Sequence, residues 1–288
     1  MRSIPALAAL LLLAVPSVAP GFVAPPSIGP PPVLNAPAAT AAMRAAGCPY
    51  ATWVDDGRQF LEFDRARGTA VEAVGDLAHA TRIAVLVPGV DTELADFDRG
   101  LGGVTRRAPA WQARALVAEL HATDPSARVA VVAWLGYRTP SGMGLDAIGE
   151  GRARAGAAAL VAFVDALTAR YSGAHVTLVG HSYGAIVAGL AAPHLPQVRD
   201  LVTLGAPGMG VDRAADLGGA RVYAALAGTD WIHRVPQVRL FGLGHGERPT
   251  SPGFGAIALP TTGVAGHDGY LVPGSPTLAA VADVVLIP

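Results

Sequence analysis

One short stretch of the chain has the residue types and spacing of a reactive centre. Gly180-His181-Ser182-Tyr183-Gly184 fits the pattern G-x-S-x-G. It follows the apolar run "VTLV" and precedes "YGAIVAGL", a helix-compatible run. A strand that turns sharply into a helix at Ser182 would force that residue into a strained backbone conformation and lift its hydroxyl above the sheet. The two glycines fit because a Cβ at either position would meet the neighbouring strand or helix. The N–H of Tyr183, at the helix start, would then face the negative charge of a tetrahedral intermediate. Five residues alone match by chance, so the flanking runs carry the reading. The plain alternative is a glycine-rich turn with an incidental serine.

A serine nucleophile needs a base, and the base needs a carboxylate to orient it. In a strand–turn–helix setting of this kind the chain order is Ser, then Asp or Glu, then His. Asp200 precedes the run "LVTLG", at the wrong end of a strand, and Asp216 falls in a helical stretch. Asp212 follows "APGMG", one strand early. Asp230 directly follows "RVYAALAGT" and is the expected acid. Among the histidines, His194 ends the helix after the elbow and His233 is only three residues from Asp230. His267, in "VAGHDGYLVPGSP", lies after the last strand and before the last helix, where the base belongs; His245 ranks second. A histidine base predicts activity that falls below about pH 6.

The second oxyanion donor is expected from the loop after "RIAVLVPG", which nominates the backbone at Gly89 and Val90. Trp134 and Tyr137, in "WLGYRTP", end a strand on the same edge and are candidate pocket-lining residues, with a core Trp and a capping Tyr as the equal alternative. "GVDTELADFDRGLGG" carries several carboxylates without calcium-loop spacing and reads as a solvated loop beside the entrance. No H-x-x-x-H motif, cysteine cluster or P-loop appears, so neither a metal nor a cofactor is expected. Cys48 is the only cysteine, which excludes an internal disulfide.

These residues need elements to hold them. "RQFLEFD" and "TAVEAVG" read as a first pair of strands. "TRIAVLVPG", "ARVAVVAWLGY", "AHVTLVG", "VRDLVTLGAPG" and "RVYAALAGTD" are continuous apolar runs, as in strands buried on both faces, and "FGAIALP" is a short last candidate. Helical spacing appears over 108–122, over 145–171 as one long helix, after Ser182, and after Ser275 as N-cap with Pro276 at the first position. Alternating strands and helices imply βαβ units: an α/β fold with a mostly parallel central sheet and helices on both faces. In such sheets, sites gather at the carboxyl ends of the strands.

Of 288 residues, 51% are hydrophobic and 15% charged, enough apolar residues for a large core. The net charge is −1, and all 21 basic residues are arginine, a pattern read as coding bias. Nucleic acid is not an expected partner, because no basic face is present. Arg2 followed by the apolar run Ile4–Val18 fits a secretory signal, and the run is short of the ~20 residues of a membrane span. Residues 1–24 are therefore expected to be a signal peptide or N-terminal anchor, 25–47 a Pro/Ala-rich linker, and 48–288 the α/β domain. An uncleaved N-terminal segment is the one expected membrane contact.

From Arg58 onward the chain resembles exported bacterial α/β hydrolases long catalogued as a domain of unknown function. The resemblance rests on "RQFLEFD", "AVGDLAHATRIAVLVPGV", "VAWLGYRTP", "LVGHSYG", "LVTLGAPGMG", "AGTDWI", "PGFGA" and "GHDGYL" in that order. It implies the α/β-hydrolase fold, with Ser182, Asp230 and His267 in the triad positions. The family says little about substrate; the site residues themselves point to ester cleavage through an acyl-enzyme, with small or medium acyl substrates favoured for lack of a long lid insertion. An acyltransferase or an amidase or peptidase would use the same triad. A non-catalytic cell-surface binding domain on the same scaffold is the reading from another class.

Overall fold

The computed structural model describes residues 34–239 and 243–287. The expected signal segment and most of the linker lie outside them. Helix α1 spans Ala36–Ala46 and α2 spans Tyr50–Asp55. Eight strands follow: β1 (Gln59–Asp64), β2 (Thr69–Gly75), β3 (Arg82–Val87), β4 (Val129–Leu135), β5 (His175–His181), β6 (Val198–Leu204), β7 (Arg221–Ala225) and β8 (Ile257–Ala258). Between them run α3 (Pro109–Thr123), α4 (Leu145–Ile148), α5 (Gly151–Arg170) and α6 (Tyr183–Ala191), and α7 (Pro276–Leu286) closes the described chain.

The strands form one sheet in the order β1-β2-β4-β3-β5-β6-β7-β8. β2 runs antiparallel to β1 and β4, and every other pair is parallel. The first pair of strands and the mostly parallel sheet thus match the sequence reading. Along β4 the side chains alternate between two buried layers. Val131, Ala133 and Leu135 join a core with residues of α1, α3 and α7. Ala130, Val132 and Trp134 join another with residues of α5 and α6. With both faces covered, the strands read as continuous apolar runs.

Three expectations change. The linker does not reach residue 47: Ala36–Ala46 is helical, started by Asn35, whose Oδ1 accepts the N–H of Ala38 at 3.0 Å. Ala39 and Met43 of this helix are buried in the first core, because four-residue spacing puts them on one face. Composition conceals this, since alanine serves a helix as readily as a linker. The single helix over 145–171 is two helices, broken at Gly149 and Glu150. Gly149 is extended (φ −85°, ψ 159°) and bridges to Leu243. Glu150 is buried and ion-paired with Arg154 and Arg239. Finally, the acidic loop after β3 is not fully solvated. Leu94 and Phe97 are buried, and Phe97 packs on Trp53 and Phe60.

At the C-terminus the expected cap is in place: the Ser275 hydroxyl accepts the N–H of Leu278 at 3.1 Å, with Pro276 at the first helical position. Helix α7 therefore begins just past the loop that carries His267.

Candidate active site

β5 ends at His181 and α6 begins at Tyr183, so Ser182 alone makes the turn, at φ 55° and ψ −124°. A non-glycine residue there is strained. Its neighbours show why the strain is accepted. A Cβ on Gly180 would lie 2.6 Å from Ala185 Cα, and one on Gly184 would collide with the Val87 carbonyl oxygen. The Ser182 N–H is held by the Leu204 carbonyl at 2.9 Å.

Asp230 follows β7 at the carboxyl edge of the same sheet. Its side chain is fully buried and accepts three groups. His267 Nδ1 lies 2.9 Å from Oδ2, the Tyr270 hydroxyl donates to Oδ2 at 2.5 Å, and the Ile232 N–H donates to Oδ1 at 2.9 Å. Burial by itself would raise this carboxyl, but the hydrogen bonds outweigh it and hold Asp230 below the usual carboxylate range. With Nδ1–H donating to the Asp230 carboxylate, the neutral His267 ring has its lone pair on Nε2. The loop carrying His267 is held on both sides. Its carbonyl faces His181 Nε2 at 2.8 Å, Gly266 N–H donates to Thr229 Oγ1 at 2.8 Å, and Asp268 pairs with Arg107 at 2.6 Å. Burial pushes His181 down to about 4, so its ring stays neutral and its N–H is free to hold that carbonyl.

Ser182, Asp230 and His267 thus stand at the same edge of the sheet, with His267 and Asp230 joined directly. The Ser182 hydroxyl makes no side-chain hydrogen bond among the described residues, but His181 brings the His267 loop to the residue beside it.

Gly89 is packed against the serine: a Cβ there would lie 2.7 Å from Ser182 Cβ. The N–H groups of Gly89 and Val90 find no partner among the described residues, and that of Tyr183 opens α6. Asp91, at φ 57°, clamps this loop: its Oδ1 accepts the Gly142 N–H at 2.6 Å and its N–H donates to Pro140 O at 2.9 Å.

Trp134 and Tyr137 do not line the mouth. β4 alternation turns Trp134 into the α5/α6 core against Phe163. Tyr137 stacks on it, with ring centroids 5.8 Å apart, and its hydroxyl donates to Pro88 O at 2.7 Å. Tyr137 therefore sets the Pro88–Gly89 peptide from behind. His245 is buried against Tyr183, with Nε2 at 2.8 Å from Ala147 O, and has no contact with Asp230. Asp200 pairs with Arg221, and Asp212 accepts the Glu247 N–H. No group of His, Cys, Asp and Glu suited to a metal occurs among the described residues.

Sequence reasoning missed Tyr270, His181 and Gly205. Gly205 follows β6 at φ 57°, and a Cβ there would lie 2.7 Å from Asp230 Oδ2 and 3.0 Å from His267 Nδ1. The block "GHDGYL" contained Tyr270, three residues past His267, but nothing in its spacing pointed the phenol back at Asp230. Tyr270→Phe removes one donor from that carboxylate and makes it more basic. The imidazolium is then held more tightly, so the acid limb of kcat/KM moves to higher pH. The loss of a charged hydrogen bond also costs about 1.5–3 kcal/mol of stability. A stability loss with an unmoved pH profile would reduce Tyr270 to a structural role.

A family model described as "Alpha/beta hydrolase" matches residues 64–240. An uncharacterized protein of Mycobacterium tuberculosis is 31% identical over 185 residues, 62% of this chain and 68% of that one. A longer uncharacterized protein of the same organism is 32% identical over 254 residues, 76% of this chain and 37% of its own. Among solved structures, a lidless a/b serine hydrolase from Xanthomonas campestris aligns at a TM-score of 0.43 and 15% identity, covering 79% of this chain and 91% of that one. Dienelactone hydrolase from Anabaena variabilis aligns at 0.45 and 20%, covering 78% and 94%.

Proposed function

Since the chain belongs to the alpha/beta hydrolase family and has that fold, we propose that it is a serine hydrolase that cleaves an ester through an acyl-enzyme. Ser182 Oγ attacks the ester carbonyl while His267 Nε2 takes its proton. Asp230 keeps Nδ1 protonated and stabilises the imidazolium that forms. The N–H groups of Tyr183 and of Gly89 or Val90 bind the oxyanion. Collapse expels the alcohol, which receives the proton from His267. Water, deprotonated by His267, then attacks the acyl-enzyme, and the acid leaves as Ser182 recovers its proton.

The observation that supports this most is the buried Asp230–His267 pair at 2.9 Å, on the same sheet edge as a serine held at φ 55°. A fluorophosphonate probe tests it: the probe should modify the peptide containing Ser182, and competition by an ester should protect it. A folded protein that takes up no label sinks the reading and favours a binding role. Added alcohol or amine, followed by product analysis, separates hydrolysis from acyl transfer. Export is part of the same proposal, supported by Arg2 and the Ile4–Val18 run. The N-terminal residue and location of the mature protein check it. No helix among the described residues is long and apolar enough to cross a membrane.

A further inference from the structure

The large apolar side chains left exposed are not scattered over the molecule. Of the eight found among the described residues, six lie on two segments: Met143, Leu145 and Ile148 after β4, and Trp231, Val238 and Leu243 after β7. Both segments leave the carboxyl edge of the sheet, the edge that carries Ser182. Leu145 is 79% exposed, although it opens a helix.

The two segments are joined to each other and to the site. Gly149 bridges to Leu243, Gly244 N–H donates to Ile148 O at 2.9 Å, and Arg239 pairs with Glu150. The phenol of Tyr183, the residue after the nucleophile, donates to Gly149 O at 2.9 Å and accepts the Ala153 N–H at 3.1 Å. Trp231, next to Asp230, places its ring 5.0 Å from that of His267. The apolar residues therefore form a collar fastened to the reactive groups.

The collar also has a sign. Residues 136–154, 231–239 and 243–248 carry six arginines and three carboxylates, in a chain whose net charge is −1. Glu150 is buried under Arg154 and Arg239, and Asp146 is paired with Arg152. Arg138 and Arg234 are exposed and form no ion pair among the described residues. Exposed apolar side chains ringed by unspent cationic charge match a surface that is anionic outside and apolar beneath.

We propose that this collar seats the protein on an anionic lipid surface, so that the ester reaching Ser182 is drawn from that surface. This rests on the hydrolase reading above and names the form in which its substrate is presented. Trp231 apart, the collar side chains carry no group that acts on the reacting atoms, so a small dissolved ester should bypass them.

The test uses the full chain, which keeps any contribution of its N-terminus equal in all forms. Flotation with phosphatidylglycerol vesicles is compared with phosphatidylcholine vesicles, for wild type and for Leu145→Asp combined with Leu243→Asp. Wild type should prefer the anionic vesicles, and the double variant should lose about tenfold in partitioning. Arg138→Ala with Arg234→Ala should weaken binding to anionic vesicles and flatten its salt dependence. p-Nitrophenyl acetate turnover should be unchanged in both variants. Equal partitioning of wild type and double variant overturns the proposal, as does a wild type that ignores vesicles. Wild type that self-associates through the collar, with Leu145→Asp/Leu243→Asp monomeric and vesicle binding unaltered, also overturns it and makes the face a protein contact. Failure of every form to turn over the acetate sinks the hydrolase reading, while partitioning still reports on the collar.

Discussion

Ser182→Ala is expected to lower kcat for ester turnover by about 10⁵–10⁶ while leaving the thermal midpoint close to wild type. The size follows from the role: with no Oγ there is no acyl-enzyme, and the remaining rate comes from the oxyanion donors and substrate positioning alone. Stability should change little because the hydroxyl makes no side-chain hydrogen bond among the described residues, so its loss leaves no partner stranded. The backbone strain at φ 55° stays, because alanine has the same Cβ and gains nothing from the turn. Steady-state hydrolysis of a p-nitrophenyl ester, with near-UV circular dichroism as the control for folding, measures both. Wild-type-like turnover in a clean preparation would rule out Ser182 as the nucleophile and send attention to another group on the same edge.

Asp230→Asn is expected to cost about 10⁴ in kcat, through the tautomer of a neighbour and with the backbone in place. Oδ2 of Asp230 accepts from both His267 Nδ1 and the Tyr270 hydroxyl. An amide of the same shape must turn either its NH₂ or its single oxygen toward them. If the NH₂ faces His267, Nδ1 becomes the acceptor, the proton moves to Nε2, and no base faces Ser182. If the oxygen takes the place of Oδ2, the NH₂ takes that of Oδ1 and meets the Ile232 N–H, a second donor with nothing left to accept it. Either way one buried donor loses its acceptor, which costs stability as well.

A pH-dependent readout distinguishes the charge of Asp230 from its shape. Its carboxyl is held below the ordinary value, so it binds fewer protons folded than unfolded. The stability it contributes is complete above the unfolded value of about 3.9 and is lost as the pH falls through the lower folded value. The Asn variant lacks this group and should lose less stability than wild type between about pH 5 and 3. An identical acid slope in the two proteins would show that Asp230 does not carry the charge assigned to it.

Much of the site was legible in the chain because it obeys short-range rules. The elbow is one residue between a buried strand and a helix, and both flanks are contiguous with Ser182. Asp230 and His267, which the structure pairs, were picked out by order and by strand ends, a topological rule that needs no side-chain detail. Element boundaries were harder. The break at Gly149 and Glu150 was hidden because Glu150 looks like a helix former until Arg239, 89 residues away, draws its carboxylate inward. Helix α1 was hidden by alanine and proline, and only β1 and the core beneath it decide which it is.

By itself the sequence determined the class of fold, the strained serine and the identity of the groups gathered around it. These depend on local pattern and on the parallel sheet that such patterns force. The tertiary structure alone decided which way the long side chains turn. Trp134 and Tyr137 left the mouth for the core because strand alternation and the α5/α6 layer claimed them, and Tyr270 turned to Asp230 because the carboxylate is buried beside it. The apolar collar likewise has no sequence signature: its residues lie up to 100 positions apart, and they share one rim only because two loops leave the same edge of one sheet.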